Sequence, residues 1–356
     1  NSILLICDKI YNGGYMKVSI IVPVYNSERY LSDCLNSLVN QTLSEIEIIA
    51  IDDASTDHSL EILIDYAAKY PRKVKVYKND QNKGQGASRN IGMSLASCEY
   101  IGFLDSDDYV SLTMYEDLYN AAINNGKPDV LTTRLTFVKD SSYLNKTFPK
   151  DSYQFKYNPL DNPEKVLNES PSVCNKIFLR SSMKTKFLED CMWEDVGFTF
   201  SNLFNANSVI NLNNMGYFYR KSATEGVSAK GFGLNPHLLD TFRVADQIGE
   251  ETKKTGRYKE LKERVKFKQI TTVLQRAAEV LRWHIPDASK EKIIYNLHNL
   301  IVQKYGEWRN MDMGLLSSAV GIIELDRIKE IINKYDIVPT SPNEEVTSEL
   351  NKLGGR

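Results

Sequence analysis

The 356 residues carry a net charge of -2, which excludes a general electrostatic drive toward nucleic acid. Apolar residues at 42% and charged residues at 25% match an ordinary soluble globular protein, and the length allows two domains. The five cysteines are odd in number and show no close-paired metal spacing, a reducing-compartment pattern that predicts a cytoplasmic location. Residues 1–15 are expected to be an N-terminal extension outside the fold, because the first convincing strand follows Met16. Val18 to Asn26 reads as a buried strand whose ladder Pro23 is expected to end. Leu31, Cys34, Leu35 and Leu38 then recur at helical spacing behind the cap candidates Asn26 and Ser27.

A second strand, Ile46 to Ile51, runs into Asp52-Asp53, and Leu60, Leu63, Ile64 and Ala67 mark the next helix. Val74 to Tyr77 is a third strand, and Asn82-Lys83-Gly84-Gln85-Gly86 opens a helix. Gly84-x-Gly86 invites a dinucleotide reading, but Arg89 occupies the third glycine position and the motif does not follow the first strand. The fourth strand, Tyr100 to Leu104, ends in Asp105-Ser106-Asp107-Asp108, and Asp108 is expected to cap the helix around Leu112. Strand alternating with helix predicts an α/β fold with a mostly parallel sheet covered on both faces. Ligands of such sheets bind beyond the carboxyl ends of the strands. Tyr25-Asn26, Asp52-Asp53 and Asp105 to Asp108 therefore converge on one crevice. Crowded carboxylates raise each other's pKa unless a cation sits among them, and a hard divalent ion shares such ligands with substrate phosphates.

Residues 18–26 (VSIIVPVYN), 46–59 (IEIIAIDDASTDHS), 82–92 (NKGQGASRNIG) and 99–110 (EYIGFLDSDDYV) come in a fixed order. They are followed by CNKIFLRS at 174–181, WEDVGF at 193–198 and YFYR at 217–220. The ordered set resembles glycosyltransferase family 2, inverting nucleotide-sugar enzymes of the GT-A fold. The resemblance implies a metal-dependent hexosyltransferase that moves one sugar from a UDP-sugar to a hydroxyl of a glycan, lipid-linked or protein-linked acceptor. It implies Pro23, Tyr25 and Asp53 at the nucleobase, Asp53 accepting the uracil N3 proton. It assigns Asp107 to Mn²⁺ or Mg²⁺, and Asp105 to ribose or a metal-bound water. Arg89 is implied beside the donor, on a phosphate or paired with an aspartate. Asp195 matches the general base, with Asn175, Lys176, Trp193 and Glu194 on the acceptor side and Arg220 placed for a phosphate. Bacterial surface polysaccharide synthesis is the expected setting. The Q-x-x-R-W element and membrane helices of processive synthases are missing from these residues, which favours single additions.

Four segments follow from this reading: 1–15, a GT-A domain at 16–233, a helical region at 234–335 and a disordered tail at 336–356. Residues 139–162 are expected to be an irregular insertion near the acceptor, and the glycine-rich 222–233 a mobile lid. From Asn235 apolar stripes at helical spacing alternate with a basic face that includes Lys253, Lys254, Lys259, Lys262 and Lys268. That face is expected to be solvated, with peripheral contact to anionic lipid at the inner membrane face as the alternative, and oligomerisation is left open separately. The rival to an enzyme is a non-catalytic nucleotide-sugar-binding or scaffold subunit.

Overall fold

The computed structural model describes residues 4–7, 16–148, 154–221 and 236–336. Two compact units divide the chain, one built from residues up to Asp190 and from Glu194 to Lys221. The other takes Cys191–Trp193 and the residues after Lys221. The sequence-predicted lid at 222–233 lies outside the described residues, as do all but Asp336 of the tail at 336–356.

The first unit opens with strands β1 (Leu4–Cys7) and β2 (Val18–Val24), helix α1 (Glu28–Val39), β3 (Ile46–Asp52) and α2 (Ser59–Lys69). It continues through β4 (Val74–Lys78), α3 (Gln85–Leu95), β5 (Tyr100–Phe103), β6 (Tyr109–Val110) and α4 (Met114–Asn124). Then come β7 (Val130–Val138), β8 (Gln154–Tyr157), α5 (Pro163–Leu167), β9 (Lys176–Leu179), α6 (Glu194–Asn205) and β10 (Val209–Arg220). These strands form one sheet in the order β1-β4-β3-β2-β5-β9-β7-β10-β6, with β8 also on β10. Every residue of β2 and β3 is buried, as a strand covered on both faces requires. Strands β4, β3, β2 and β5 run parallel, and β9 runs antiparallel to both β5 and β7. Strand β1, within the stretch that the sequence reading left out of the fold, pairs antiparallel with β4.

Pro23 does not end its strand, contrary to expectation. It stays in register with Ile51, and Val24 beyond it pairs with Asp52. The Val24 carbonyl faces β3, accepting from the Asp53 N–H (2.8 Å), while that of Ile21 faces β5 and accepts from Leu104 (3.0 Å). Alternation turns Pro23 toward β5, whose pairing stops at Phe103, so its missing N–H leaves no ladder bond open. Asp108 does not cap α4, where Thr113 holds the cap position. The residues at 139–162 are tied down on either side of the undescribed 149–153. Tyr143 stacks on Phe218 at 5.3 Å, and β8 pairs with β10. Cys34, Cys98, Cys174 and Cys191 are free thiols.

In the second unit, α7 (Asp240–Lys254), α8 (Tyr258–Val280), α9 (Asp287–Tyr305), α10 (Met313–Val320) and α11 (Ile322–Asp336) follow a 3-10 turn at Pro236–Leu239. Leu261, Val265, Ile270, Leu297, Ile301 and Ile332 are buried along the expected stripes. Lys253, Lys254, Lys259 and Lys262 are exposed, but Lys268 is buried and does not belong to the solvated face. No described helix is long and apolar enough to cross a membrane.

The Trp308 indole N–H donates to Nδ1 of the buried His298 (2.9 Å), which requires that nitrogen to be unprotonated. Burial lowers the His298 pKa, with the Arg309 charge acting in the same direction. A depressed imidazole pKa means that the unfolded chain binds the proton more readily, so stability falls as pH drops through the unfolded value near ~6.5. Thermal melts followed by tryptophan fluorescence should lose midpoint between about pH 7 and 5.5. His298→Gln, which can still accept from the indole, should flatten that slope.

Candidate active site

The polar ends of the first two parallel strands are laced together before any ligand is considered. Ser27 and Glu28 N–H groups donate to Ser59 Oγ (2.8 Å) and Asp57 Oδ2 (3.0 Å), and the His58 N–H donates back to Glu28 Oε2 (2.9 Å). The N-terminus of α1 is therefore capped from the neighbouring loop, and Asn26 turns instead, at φ 48°, to accept from the Thr56 N–H (2.8 Å). Ser27 Oγ and Ser106 Oγ lie 2.6 Å apart, joining this loop to the aspartate cluster.

Asp53 is buried, and its carboxylate holds the next loop. Oδ1 accepts from Asn79 Nδ2 (2.7 Å) and the Lys83 N–H (2.9 Å), and Oδ2 accepts from the Gly84 N–H (2.8 Å). These bonds leave Oδ2 one lone pair. Gly84 sits at φ +87°, a conformation that a side chain resists, which accounts for the first glycine of the G-x-G pair. Gly86 has a different cause. A Cβ there would lie 2.2 Å from the Leu188 carbonyl oxygen and 3.2 Å from Glu194 Cγ. Its absence lets the first turn of α3 approach the segment leading into α6.

That approach brings Arg89 between two carboxylates. Its Nη2 donates to Asp105 Oδ1 (2.7 Å) and its Nη1 to Glu194 Oε1. The guanidinium is buried and also lies over the Phe187 ring, 5.3 Å from its centroid. Both bonded nitrogens are engaged by carboxylates, so of the two sequence-derived roles for Arg89 it is the pairing that is formed. Glu194, placed on the acceptor side by sequence, is buried behind Arg89. Burial pushes its carboxyl above the usual range while the guanidinium opposes that rise.

Beyond Asp105 the cluster splits by role. Asp107 is half-buried, and burial followed by the Asp105 charge pushes its pKa up to about 6. Asp108 is buried, with the Tyr217 hydroxyl donating to Oδ2 and the Arg220 N–H to Oδ1 (2.6 Å). Arg220 is not free for a phosphate here. Its Nε donates to the Asp107 carbonyl (2.9 Å), Nη1 to Ser141 Oγ (2.9 Å) and Nη2 to Asp33 Oδ2 (3.1 Å). The Tyr30 and Tyr109 rings lie 4.6 and 5.2 Å from the guanidinium carbon. Arg220 thus fixes the backbone of the aspartate turn.

A cavity of about 660 Å³ opens beside Asp105, and Asp195, in the first turn of α6, is on the same lining. Asn175 joins them, its amide donating to Thr132 Oγ1 (3.1 Å) and the Thr133 carbonyl (2.6 Å). Lys176 does not reach the lining. It is fully buried, and its ammonium donates to the carbonyls of Ser170 (2.8 Å) and Ser172 (2.9 Å) and to Asn175 Oδ1 (2.8 Å). Burial pushes its pKa down to about 8. Lys176 therefore shapes the wall by holding Ser170 and Ser172, which do line the cavity. Trp193 is also off the lining. It falls in the second unit, at φ 60°, with the Arg276 guanidinium 4.7 Å over its ring. Tyr25 is 47% exposed at the end of β2, and Pro23 is buried within the strand. Neither belongs to this cavity.

Arg134 and Phe137 of β7, together with Glu169, complete walls that sequence reasoning missed, and Tyr219 of β10 joins them as more than a neighbour of Arg220. The structure marks this wall by two exposed residues of β7, Arg134 and Phe137, the latter 66% exposed. Among the described residues, no group of three or more His, Cys, Asp or Glu side chains is arranged to hold a metal ion. The donor set at the strand end, Asp105 and Asp107, still fits a hard cation of the kind that takes one or two carboxylates and completes its shell with phosphate and water.

Residues 19–187 match the family model described as glycosyl transferase family 2. A poly(ribitol-phosphate) beta-glucosyltransferase of Bacillus spizizenii is 47% identical over 112 residues, 31% of this chain and 18% of that protein. The poly(ribitol-phosphate) beta-N-acetylglucosaminyltransferase TarS of Staphylococcus aureus is 32% identical over 239 residues, 66% of this chain and 40% of TarS. The chain thus spans well under half the length of these curated relatives. The crystal structure of S. aureus TarS 1–349 in complex with UDP-GlcNAc superposes with a TM-score of 0.61 at 23% identity, covering 90% of this chain and 92% of that one. The matched segment, residues 19–187, thus belongs to glycosyltransferase family 2, on a fold shared with TarS.

Proposed function

We propose that this chain is an inverting glycosyltransferase that moves one sugar from a UDP-sugar to an acceptor hydroxyl of a bacterial surface glycan. One observation carries the reading: Asp105, at the end of a parallel strand, and Asp195, at the start of a helix, line one cavity of about 660 Å³. That volume lies in the range of small-molecule sites. The complexes of TarS with UDP and UDP-GlcNAc support the donor class. Poly(ribitol-phosphate), in the names of two relatives, supports a polyol phosphate as first acceptor to try.

In this reading Tyr25 offers its exposed ring to the uracil and the free lone pair of Asp53 accepts the N3 proton. Asp107, with Asp105, would hold Mn²⁺ or Mg²⁺, which when bound neutralises charge on the diphosphate. Arg89 fixes Asp105 from behind and Arg220 fixes the backbone of Asp107. Asp195 takes the proton of the acceptor hydroxyl, from the side of the sugar opposite the diphosphate, which inverts the anomeric centre. Asn175, oriented by Lys176, shapes the acceptor wall. The free thiols support a reducing, cytoplasmic setting.

The test is release of UDP from UDP-glucose and UDP-GlcNAc. Turnover should vanish in EDTA and return with Mn²⁺ or Mg²⁺. Asp107→Ala should raise the half-saturating metal concentration by about tenfold or more, since even an outer partner of a ligand is worth about 10–100-fold. Turnover indifferent to both EDTA and the substitution would remove the metal from the reading. UDP binding without turnover of any donor would leave a binding subunit.

A further inference from the structure

The cavity is charged unevenly. Asp105, Glu169 and Asp195 lie on its lining, and so does Arg134. Glu169 is held by the Tyr157 hydroxyl (2.9 Å) and Asn211 Nδ2 (2.9 Å). Arg89 and Arg220 are buried against carboxylates, whereas Arg134 is exposed on β7. Farther along the same strand Phe137 leaves 66% of its surface in water. Tyr219 meets it edge-on from the paired position on β10, centroids 5.6 Å apart, and Lys221 Nζ lies 5.7 Å from the Phe137 centroid. A phenyl ring so exposed adds little to the core. Two aromatic faces flanked by two cations make a surface for a ligand with C–H faces and anionic groups.

We infer that Arg134, Lys221, Phe137 and Tyr219 form an acceptor subsite for a phosphodiester-linked polyol or glycan. The phosphate stays at this rim while the neighbouring hydroxyl reaches Asp195. The inference rests on the transferase reading and adds how the acceptor is registered. Carboxylates on the inner wall repel a phosphate and the basic rim attracts it, so one charge gradient decides which hydroxyl of a repeat enters. Phe137 and Tyr219 supply stacking area for the carbon chain between phosphates. A forked guanidinium suits a phosphodiester better than an ammonium does.

The experiment uses the full chain, whichever UDP-sugar it hydrolyses, and two acceptors of matched length: a ribitol-phosphate oligomer and a neutral oligosaccharide. Arg134→Gln should raise KM for the ribitol-phosphate oligomer by about tenfold or more, the value of one charge-assisted hydrogen bond. The KM for the neutral acceptor should change by less than about twofold, so the ratio of the two values reports the charge alone. Raising salt from about 50 to 200 mM should weaken the anionic acceptor for the wild type and less so for Arg134→Gln. Phe137→Ala should raise KM for both acceptors. An unchanged ratio in Arg134→Gln, or a wild type that prefers the neutral oligosaccharide, overturns the subsite. A wild type that hydrolyses no UDP-sugar overturns the transferase reading, and the subsite with it.

Discussion

Asp195→Asn is expected to lower sugar transfer by about 10²–10⁴ while UDP affinity stays the same, because the amide keeps the shape of the carboxylate and cannot take a proton. The competing account of Asp195 is purely structural. It sits in the first turn of α6, where a negative charge complements the helix dipole. That role would make its loss visible as about 0.3–1 kcal/mol of stability and nothing more. The two accounts separate cleanly when a thermal melt and a single-turnover assay are run on the same preparation. A small drop in midpoint with near-normal transfer would end the general-base assignment. A full loss of transfer with UDP still bound, measured by calorimetry, would sustain it. The position on the lining shared with Asp105 favours the second outcome.

Arg89→Met is expected to carry the largest stability loss in the first unit. The guanidinium is buried and bonded to Asp105 and Glu194, and Glu194 is buried as well. Removing one partner of a buried ion pair leaves a stranded charge, which costs about 3–5 kcal/mol. For a unit of this size that is a midpoint shift of about 6–20 °C. The deficit has a pH sign. Without Arg89, burial holds the Glu194 carboxyl above its unfolded pKa, so the folded variant binds more protons than the unfolded chain. Its stability should therefore fall as pH rises through the carboxylate range, and the gap from wild type should narrow near pH ~5. Glu194→Gln in the same background should recover part of the loss by removing a stranded charge, a coupling that independent sites would not display. A gap that stays constant with pH, or a double variant no better than the single one, would show that Arg89 acts through packing on Phe187.

The strand ends were legible because runs such as Val18 to Val24 and Ile46 to Asp52 are uniformly buried and stop at polar residues. Asp53, Asp105 and Asp195 could be named from local context together with their order. Their partners could not. Arg89 meets Glu194 across 105 residues, and Tyr217 meets Asp108 across 109, and no local spacing encodes such distances. Lys176 was implied on the acceptor side by the family resemblance alone, and three acceptors draw its ammonium inward. Pro23 misled for a related reason: whether a missing N–H matters depends on which neighbour it faces, and that is a property of the sheet. The wall carrying Arg134 and Phe137 was hidden because β7 is buried over its first four residues and then exposed at Arg134 and Phe137, three positions apart, so no alternation of period two marks that face.

Strand β9 runs against both of its neighbours and is the seam of the sheet. On one side of it stand the strands that lead into Asp53 and Asp105, and on the other those that carry Phe137 and Tyr219. A seam of this kind lets the two sides diverge at different rates. Insertions or altered side chains beyond β9 can change what the cavity admits without disturbing the hydrogen-bond ladder that supports the aspartates. New specificities could therefore arise in this lineage by redecorating one flank of a sheet whose other flank stays fixed.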